Sequence, residues 1–77
     1  KQLTYIDCSC NHINDLSPLS VLSKLEYLNC NYNRTEKLFD KNHCLVNLKE
    51  LYLCKNNITD ISSLSTMKKL IKLNLNM

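Results

Sequence analysis

The chain contains no glycine and no tryptophan, one proline and one phenylalanine. Without glycine there is no Gly-rich cradle for a phosphate, neither the P-loop nor the dinucleotide fingerprint. Left-handed turn positions must then be filled by something else. Asparagine tolerates that backbone region better than other residues with a Cβ, and the chain has eleven. Long apolar runs are also missing. None approaches the roughly 20 residues a membrane helix needs, so no membrane insertion is expected. Nothing near the start reads as a signal peptide. Strong charge is absent too, the net value being +3. Residues 1–24 sum to zero and residues 25–47 carry three charges of each sign. The excess comes from Lys49, Lys55, Lys68, Lys69 and Lys72 against Glu50 and Asp60. That is too mild for a nucleic-acid protein. Lys68, Lys69 and Lys72 read first as solvated lysines, and contact with RNA or anionic lipid would have to show a steep salt dependence.

What is present is repetition. Leu3, Ile6, Cys8, Asn11, Ile13 and Leu16 stand at the same spacing as Leu48, Leu51, Leu53, Asn56, Ile58 and Ile61. Leu25, Leu28, Cys30, Asn33, Thr35 and Leu38 repeat it with one weak position, and Leu70, Leu73 and Leu75 open a fourth copy. The copies begin 22, 23 and 22 residues apart, which divides the single domain into repeats 3–24, 25–47, 48–69 and a partial 70–77. A fixed period of this size is the signature of a solenoid. Within each copy, Leu-x-x-Leu-x-Leu is a short extended segment whose alternate side chains point inward. Neighbouring copies pair as parallel strands about 4.8 Å apart. The rest of each copy is the long crossover that parallel pairing requires. One unit cannot bury its apolar side alone, so stacking makes the core. As a compact globule, 77 residues would be marginal.

On these residues the chain resembles the leucine-rich repeat family over essentially its whole length. The tails Asn14-Asp15-Leu16-Ser17-Pro18-Leu19 and Thr59-Asp60-Ile61-Ser62-Ser63-Leu64 resemble the short repeat class of bacterial internalins and of a phosphatase regulator. Cysteine at the third apolar position is similar to Cys-rich repeats of bacterial surface proteins. The expected fold is therefore an α/β-type solenoid, a right-handed coil with a parallel sheet on the concave face. Short 3₁₀ or irregular crossovers lie on the convex side, since the Ser-Pro and Ser-Ser tails favour brief 3₁₀ turns over long helices. Both ends read as cut, as in a piece of a longer solenoid or one whose uncapped ends self-associate end to end.

Asn11, Asn33 and Asn56 recur where each strand ends. A buried Asn must satisfy its amide, so these are read as a structural ladder bonding turn backbone in the next coil. Strand residues that point away from the core line the concave face: Tyr5, Asp7, Ser9 and Cys10; Tyr27, Asn29, Asn31 and Tyr32; Glu50, Tyr52, Cys54 and Lys55; Lys72, Asn74 and Asn76. All four tyrosines fall in this set. Tyrosine carries a rigid apolar body with a polar tip and suits an interface anchor, although it also simply favours strands. Asn29 and Asn31 are placed to hydrogen-bond a partner between the rings. Glu50, Lys55 and Lys72 set charge complementarity. The expected function is a non-enzymatic module binding a protein partner on this face. Two alternatives are a bacterial surface or secreted effector domain and an architectural spacer.

Five cysteines is an odd number. Cys8 and Cys30 read as small buried hydrophobes. Their in-register side chains should run side by side, which suits a disulfide poorly. Reduced thiols suggest a cytoplasmic setting, a secreted or cell-surface one being the alternative. Cys10-x-His12 and His43-Cys44 lack a second half at metal spacing, and a zinc site needs about four ligands. A Cys–His nucleophile also needs a third, orienting group. No catalytic residue, metal or cofactor is therefore assigned. The sequons at Asn33 and Asn57 are expected by chance in a chain so rich in Asn, and Asn33 should be buried. The second repeat departs from its sisters: Thr35 stands for Ile, and an extra residue lies in the stretch 39–44. That is either an ordinary convex loop or a second contact site, since insertions in solenoids map to one face.

Overall fold

The computed structural model describes residues 3–40 and 42–75. Four three-residue strands, β1 (Tyr5–Asp7), β2 (Tyr27–Asn29), β3 (Glu50–Tyr52) and β4 (Lys72–Asn74), form one parallel sheet in chain order. Tyr5 pairs with Tyr27, Tyr27 with Glu50, and Glu50 with Lys72. The register thus follows the repeat, one strand per coil. Beyond the strands the ladder continues in step. Cys8 N donates to Asn29 O, Cys30 N to Tyr52 O and Leu53 N to Asn74 O, at 2.8–2.9 Å. The parallel sheet is the architecture the spacing implied, 3₁₀ turns form in the crossovers with the Ser-Pro and Ser-Ser tails, and the described residues contain no α-helix.

The inward positions make one core. Leu25, Leu28, Cys30, Leu45, Leu48, Leu51 and Leu53 are fully buried, and Leu16, Leu38, Phe39, Ile58 and Met67 nearly so. Each fully buried Leu contributes roughly 1.5–3 kcal/mol. Burial is graded along the coil. Leu28 and Leu51, at the centres of β2 and β3, are sealed, Ile6 in β1 is half-buried, and Leu73 in β4 is 45% exposed. A strand interior to the stack has a neighbour on each side, and an outer strand has one.

Left-handed backbone occurs at Cys10, Tyr32 and Lys55, with φ of 61°, 59° and 60°. This corrects the expectation that asparagine would fill such positions. The residue involved is in each copy the one before the ladder asparagine. The asparagine side chain is needed inside the turn, so the residue before it takes the positive φ. The same geometry revises the face. The strands end at Asp7, Asn29 and Tyr52, so Tyr32 and Lys55 stand in the turns and not on a strand.

Two crossovers contain a 3₁₀ helix, Ser17–Val21 and Ser62–Thr66. Each follows an aspartate two residues ahead of its first serine. Asp15 Oδ1 accepts from Ser17 N at 2.8 Å and Asp60 Oδ1 from Ser62 N at 2.9 Å. The second crossover lacks that Asp-x-Ser start, and its described residues form no 3₁₀ helix. It is fixed by side chains instead. Phe39 is buried with its ring edge-on to His43. His43 Nδ1 accepts from Leu45 N at 3.1 Å, which leaves Nε2 to donate to Ser63 O at 2.8 Å. The longer crossover is thereby tied to the third. Thr35, at an apolar position, is fully buried, and its Oγ1 donates to Ile13 O at 3.0 Å.

Candidate interaction face

The sheet face turned away from the crossovers is the concave side of such a coil, and β1 to β4 present two rows of side chains there. One row is Tyr5, Tyr27, Glu50 and Lys72, and the next is Asp7, Asn29, Tyr52 and Asn74. In-register strands place like positions one strand spacing apart, near enough for rings to meet. Tyr5 and Tyr27 lie parallel, with centroids 4.2 Å apart and 3° between planes. Tyr27 and Tyr52 meet tilted at 5.5 Å. Three of the four tyrosines therefore form one continuous aromatic strip across β1–β3. Ring contacts among the described residues leave out Tyr32, which stands 58% exposed in its turn.

Charge edges the strip. Tyr52 Oη donates to Glu50 Oε1 at 2.7 Å. That bond, with some desolvation and the nearby carboxylate charge, pushes the Tyr52 phenol up to about 12. Hydrogen bonding and charge from Tyr27 raise Tyr5 above its ordinary value, with desolvation and then Asp7 and Glu50 adding smaller pushes. Asp7 accepts from Ser9 N at 3.1 Å and Ser9 Oγ at 2.8 Å, and those bonds hold its carboxyl below the ordinary range. Lys72 extends the charged end of the first row on β4 and is exposed.

The asparagines divide into two groups. Asn29 Oδ1 accepts from Asn31 N at 3.0 Å, and Asn31 Oδ1 from Cys54 N at 2.7 Å. Each amide oxygen thus spends one of its two lone pairs on a turn, and the Nδ2 donors take no part in those bonds. Asn74 is exposed on β4, and Asn76 lies outside the described residues. The second group is the ladder. Asn33 Oδ1 accepts from Asn11 N and Ile13 N, both at 3.1 Å, while its Nδ2 donates to Cys8 O, Cys30 O and Asn31 O. Asn56 Oδ1 accepts from Thr35 N, and its Nδ2 donates to Cys30 O, Leu53 O and Cys54 O. Those that leave the residue's own coil run back to the preceding one, a correction to the forward direction read from the spacing. An Asn side chain reaches backbone in its own turn and in an adjacent one, and the turn behind is the one whose N–H groups face it. The Asn11 side chain bonds only its own turn, at Cys8 O and Ser9 O, and is exposed.

Elsewhere the surface gives little chemistry. Glu36, Lys37, Leu38, Phe39, Thr59, Asp60, Ser62 and Ser63 line an open cavity of about 490 Å³ between the second and third crossovers. His12 and His43 lie in different coils. Among the described residues, no three His, Cys, Asp or Glu side chains gather as a metal cluster, and no helix is long and apolar enough to cross a membrane.

One contact was missed in the sequence. Cys8 Sγ and Cys30 Sγ lie 2.7 Å apart, so the two side chains converge and do not run side by side as the register alone suggested. All five cysteines are free thiols: Cys30 buried, Cys8 and Cys54 half-buried, Cys10 and Cys44 exposed. Burial, with the Cys8 sulfur beside it, pushes the Cys30 thiol far up.

A repeated coil that stacks one parallel strand per copy in register belongs to the class of solenoid repeat proteins. The family model described as Leucine Rich repeats (2 copies) matches residues 1–41 and again 46–77, and the chain belongs to the leucine-rich repeat family. Domains of this family generally mediate protein–protein interaction and are typically non-enzymatic. No curated protein and no solved structure matches the chain.

Proposed function

We propose that the working surface is the concave sheet face, and that it binds a protein partner through the strip Tyr5–Tyr27–Tyr52. The observation that carries this reading is the strip itself, two rings stacked at 4.2 Å and a third at 5.5 Å, on a face that the core does not use. Large aromatic surface fixed by the sheet loses little conformational entropy on binding. Tyrosine is also among the residues that dominate interface energetics. Glu50, Asp7 and Lys72 border the rings and would select partners by charge, with larger effects on association rate than on affinity. Asn29 and Asn31 contribute Nδ2 donors. Tyr32 and Lys55 stand in the adjoining turns and belong to the rim.

The experiment compares partner capture by the immobilised chain with capture by a Tyr27→Glu/Tyr52→Glu variant that keeps the native circular dichroism. Loss of a partner by the variant alone, with at least a tenfold rise in Kd once that partner is purified, is the expected outcome. A partner held equally by both would move binding to the crossover side and overturn this reading. An internalin-like role at a surface rests on resemblance of the repeat skeleton, and a purely architectural role would be favoured by tolerance of Tyr-to-Ser changes on this face.

A further inference from the structure

The sulfurs of Cys8 and Cys30 sit inside the core edge of the first and second coils, at equivalent positions in the repeat. At 2.7 Å they are closer than the roughly 3.5–4.0 Å at which even smaller non-bonded carbon atoms rest. Neighbouring strands stand about 4.8 Å apart, within the 4.4–6.8 Å Cα separation that a disulfide spans. The two residues are held in step by the ladder around them. Cys8 N bonds Asn29 O, and Asn33 Nδ2 bonds both Cys8 O and Cys30 O. Both backbones are thus fixed by one asparagine, and the pairing does not depend on a flexible loop.

Exposure differs between the two. Cys8 is half-buried and reachable from solvent, whereas Cys30 is fully buried. That asymmetry gives an order of events. We propose that Cys8 and Cys30 form a thiol-oxidation site, at which a small-molecule disulfide converts the two stacked thiols into one intrachain disulfide joining the first coil to the second. Cys8, as thiolate, attacks one sulfur of the reagent, forms a mixed disulfide and expels the first reagent thiolate. Cys30 gives its proton to the first reagent thiolate, expelled beside it at Cys8, its sulfur attacks Cys8 Sγ, and the second reagent thiolate leaves. Two protein thiols are oxidised, one reagent disulfide is reduced to two thiols, and no other electron acceptor is needed. Burial disfavours the Cys30 thiolate. Its attack is intramolecular, from a sulfur 2.7 Å away, and effective concentrations in such cases are very high.

The three other cysteines do not share this geometry. Cys10 and Cys44 are exposed, and Cys54 occupies a different row of the third coil. A site defined by two sulfurs in adjacent coils should also need the fold. In the unfolded chain Cys8 and Cys30 are separated by 21 intervening residues and compete with every other thiol.

The test treats the native chain with oxidised glutathione and follows it by intact mass and peptide mapping. A Cys10→Ser/Cys44→Ser/Cys54→Ser variant isolates the pair, and the unmodified chain mapped in parallel stands in should that variant not fold. The expected result is the loss of two hydrogen atoms and a Cys8–Cys30 linked peptide, formed at least tenfold faster in buffer than in denaturing urea. A Cys8 that stops at the glutathione adduct, a linkage involving another cysteine as the first product, or equal rates folded and unfolded would each overturn the proposal.

Discussion

Asn33 and Asn56 stabilise the coil from positions where an apolar residue would leave backbone groups unpaired. Each is 6% exposed, and each joins groups of two successive turns through one amide. A buried donor or acceptor left without a partner costs about 1–3 kcal/mol. Asn56→Ala strands Thr35 N and removes the donor shared by Cys30 O and Leu53 O. It should therefore destabilise the chain by about 2 kcal/mol or more. Asn11, with the same sequence motif, is exposed and its side chain bonds only its own turn, so Asn11→Ala should cost less than about 1 kcal/mol. Urea titration of the three proteins measures the difference, and equal losses at Asn11 and Asn56 would show that burial does not set the ladder's strength. The pattern of asparagines was legible from spacing alone. Their unequal weight was not, because the sequence motif is identical and only stacking distinguishes it. The left-handed residues Cys10, Tyr32 and Lys55 were likewise hidden, since no residue type marks the position.

At the scale of elements, the crossovers depend on two local devices. Asp15 and Asp60 each accept a serine N–H at the start of a 3₁₀ helix, and those bonds lower both carboxyls from the ordinary 3.8. A carboxyl whose folded value is depressed favours folding while it is ionised. Its contribution is complete above the unfolded value and is lost as the pH falls through the lower folded one. The fold should therefore weaken below about pH 4, where such carboxylates begin to protonate. Asp15→Ala/Asp60→Ala should lower the Tm at neutral pH and flatten that acid-side fall. Thermal melts between neutral and acid pH test both effects, and an unchanged acid slope in the variant would remove these two groups as its cause. The Ser-Pro and Ser-Ser tails made the 3₁₀ turns legible, whereas the aspartate bonds that start them were not read from the sequence. The second crossover was legible only as a departure. Its solution, Phe39 buried and His43 bonded to Leu45 N and Ser63 O, needs residues 20 positions apart to meet.

For the molecule as a whole, a repeating apolar spacing specified the parallel sheet and its order, because in-register stacking is the arrangement that buries Leu28, Leu51 and Leu53 together. The aromatic strip was half legible. Alternation placed Tyr5, Tyr27 and Tyr52 on one face, but the lean of Tyr52 toward both Tyr27 and Glu50 is a diagonal contact that register alone does not specify. The Cys8–Cys30 approach is of the same kind, a side-chain rotation invisible to spacing. Stacked coils contact only their neighbours, so stability approximates a sum over coils and interfaces. Among the described residues, the coils holding β2 and β3 have two interfaces and sealed central leucines, whereas β1 and β4 have one each, and Leu73 is 45% exposed. Local opening draws on the elements with the fewest buried contacts. Amide hydrogen exchange in the native chain should accordingly be slowest at Cys30 and Tyr32, whose N–H groups bond Tyr52 O and Cys54 O, and faster at Ile71 and Lys72, which bond Lys49 O. Leu51→Ala, which empties the centre, should cost about 2–5 kcal/mol and raise exchange throughout the sheet. Leu73→Ala should cost less and act chiefly on β4. Uniform protection along all four strands, or equal costs for the two leucines, would mean that the coil opens as one unit and not from its ends.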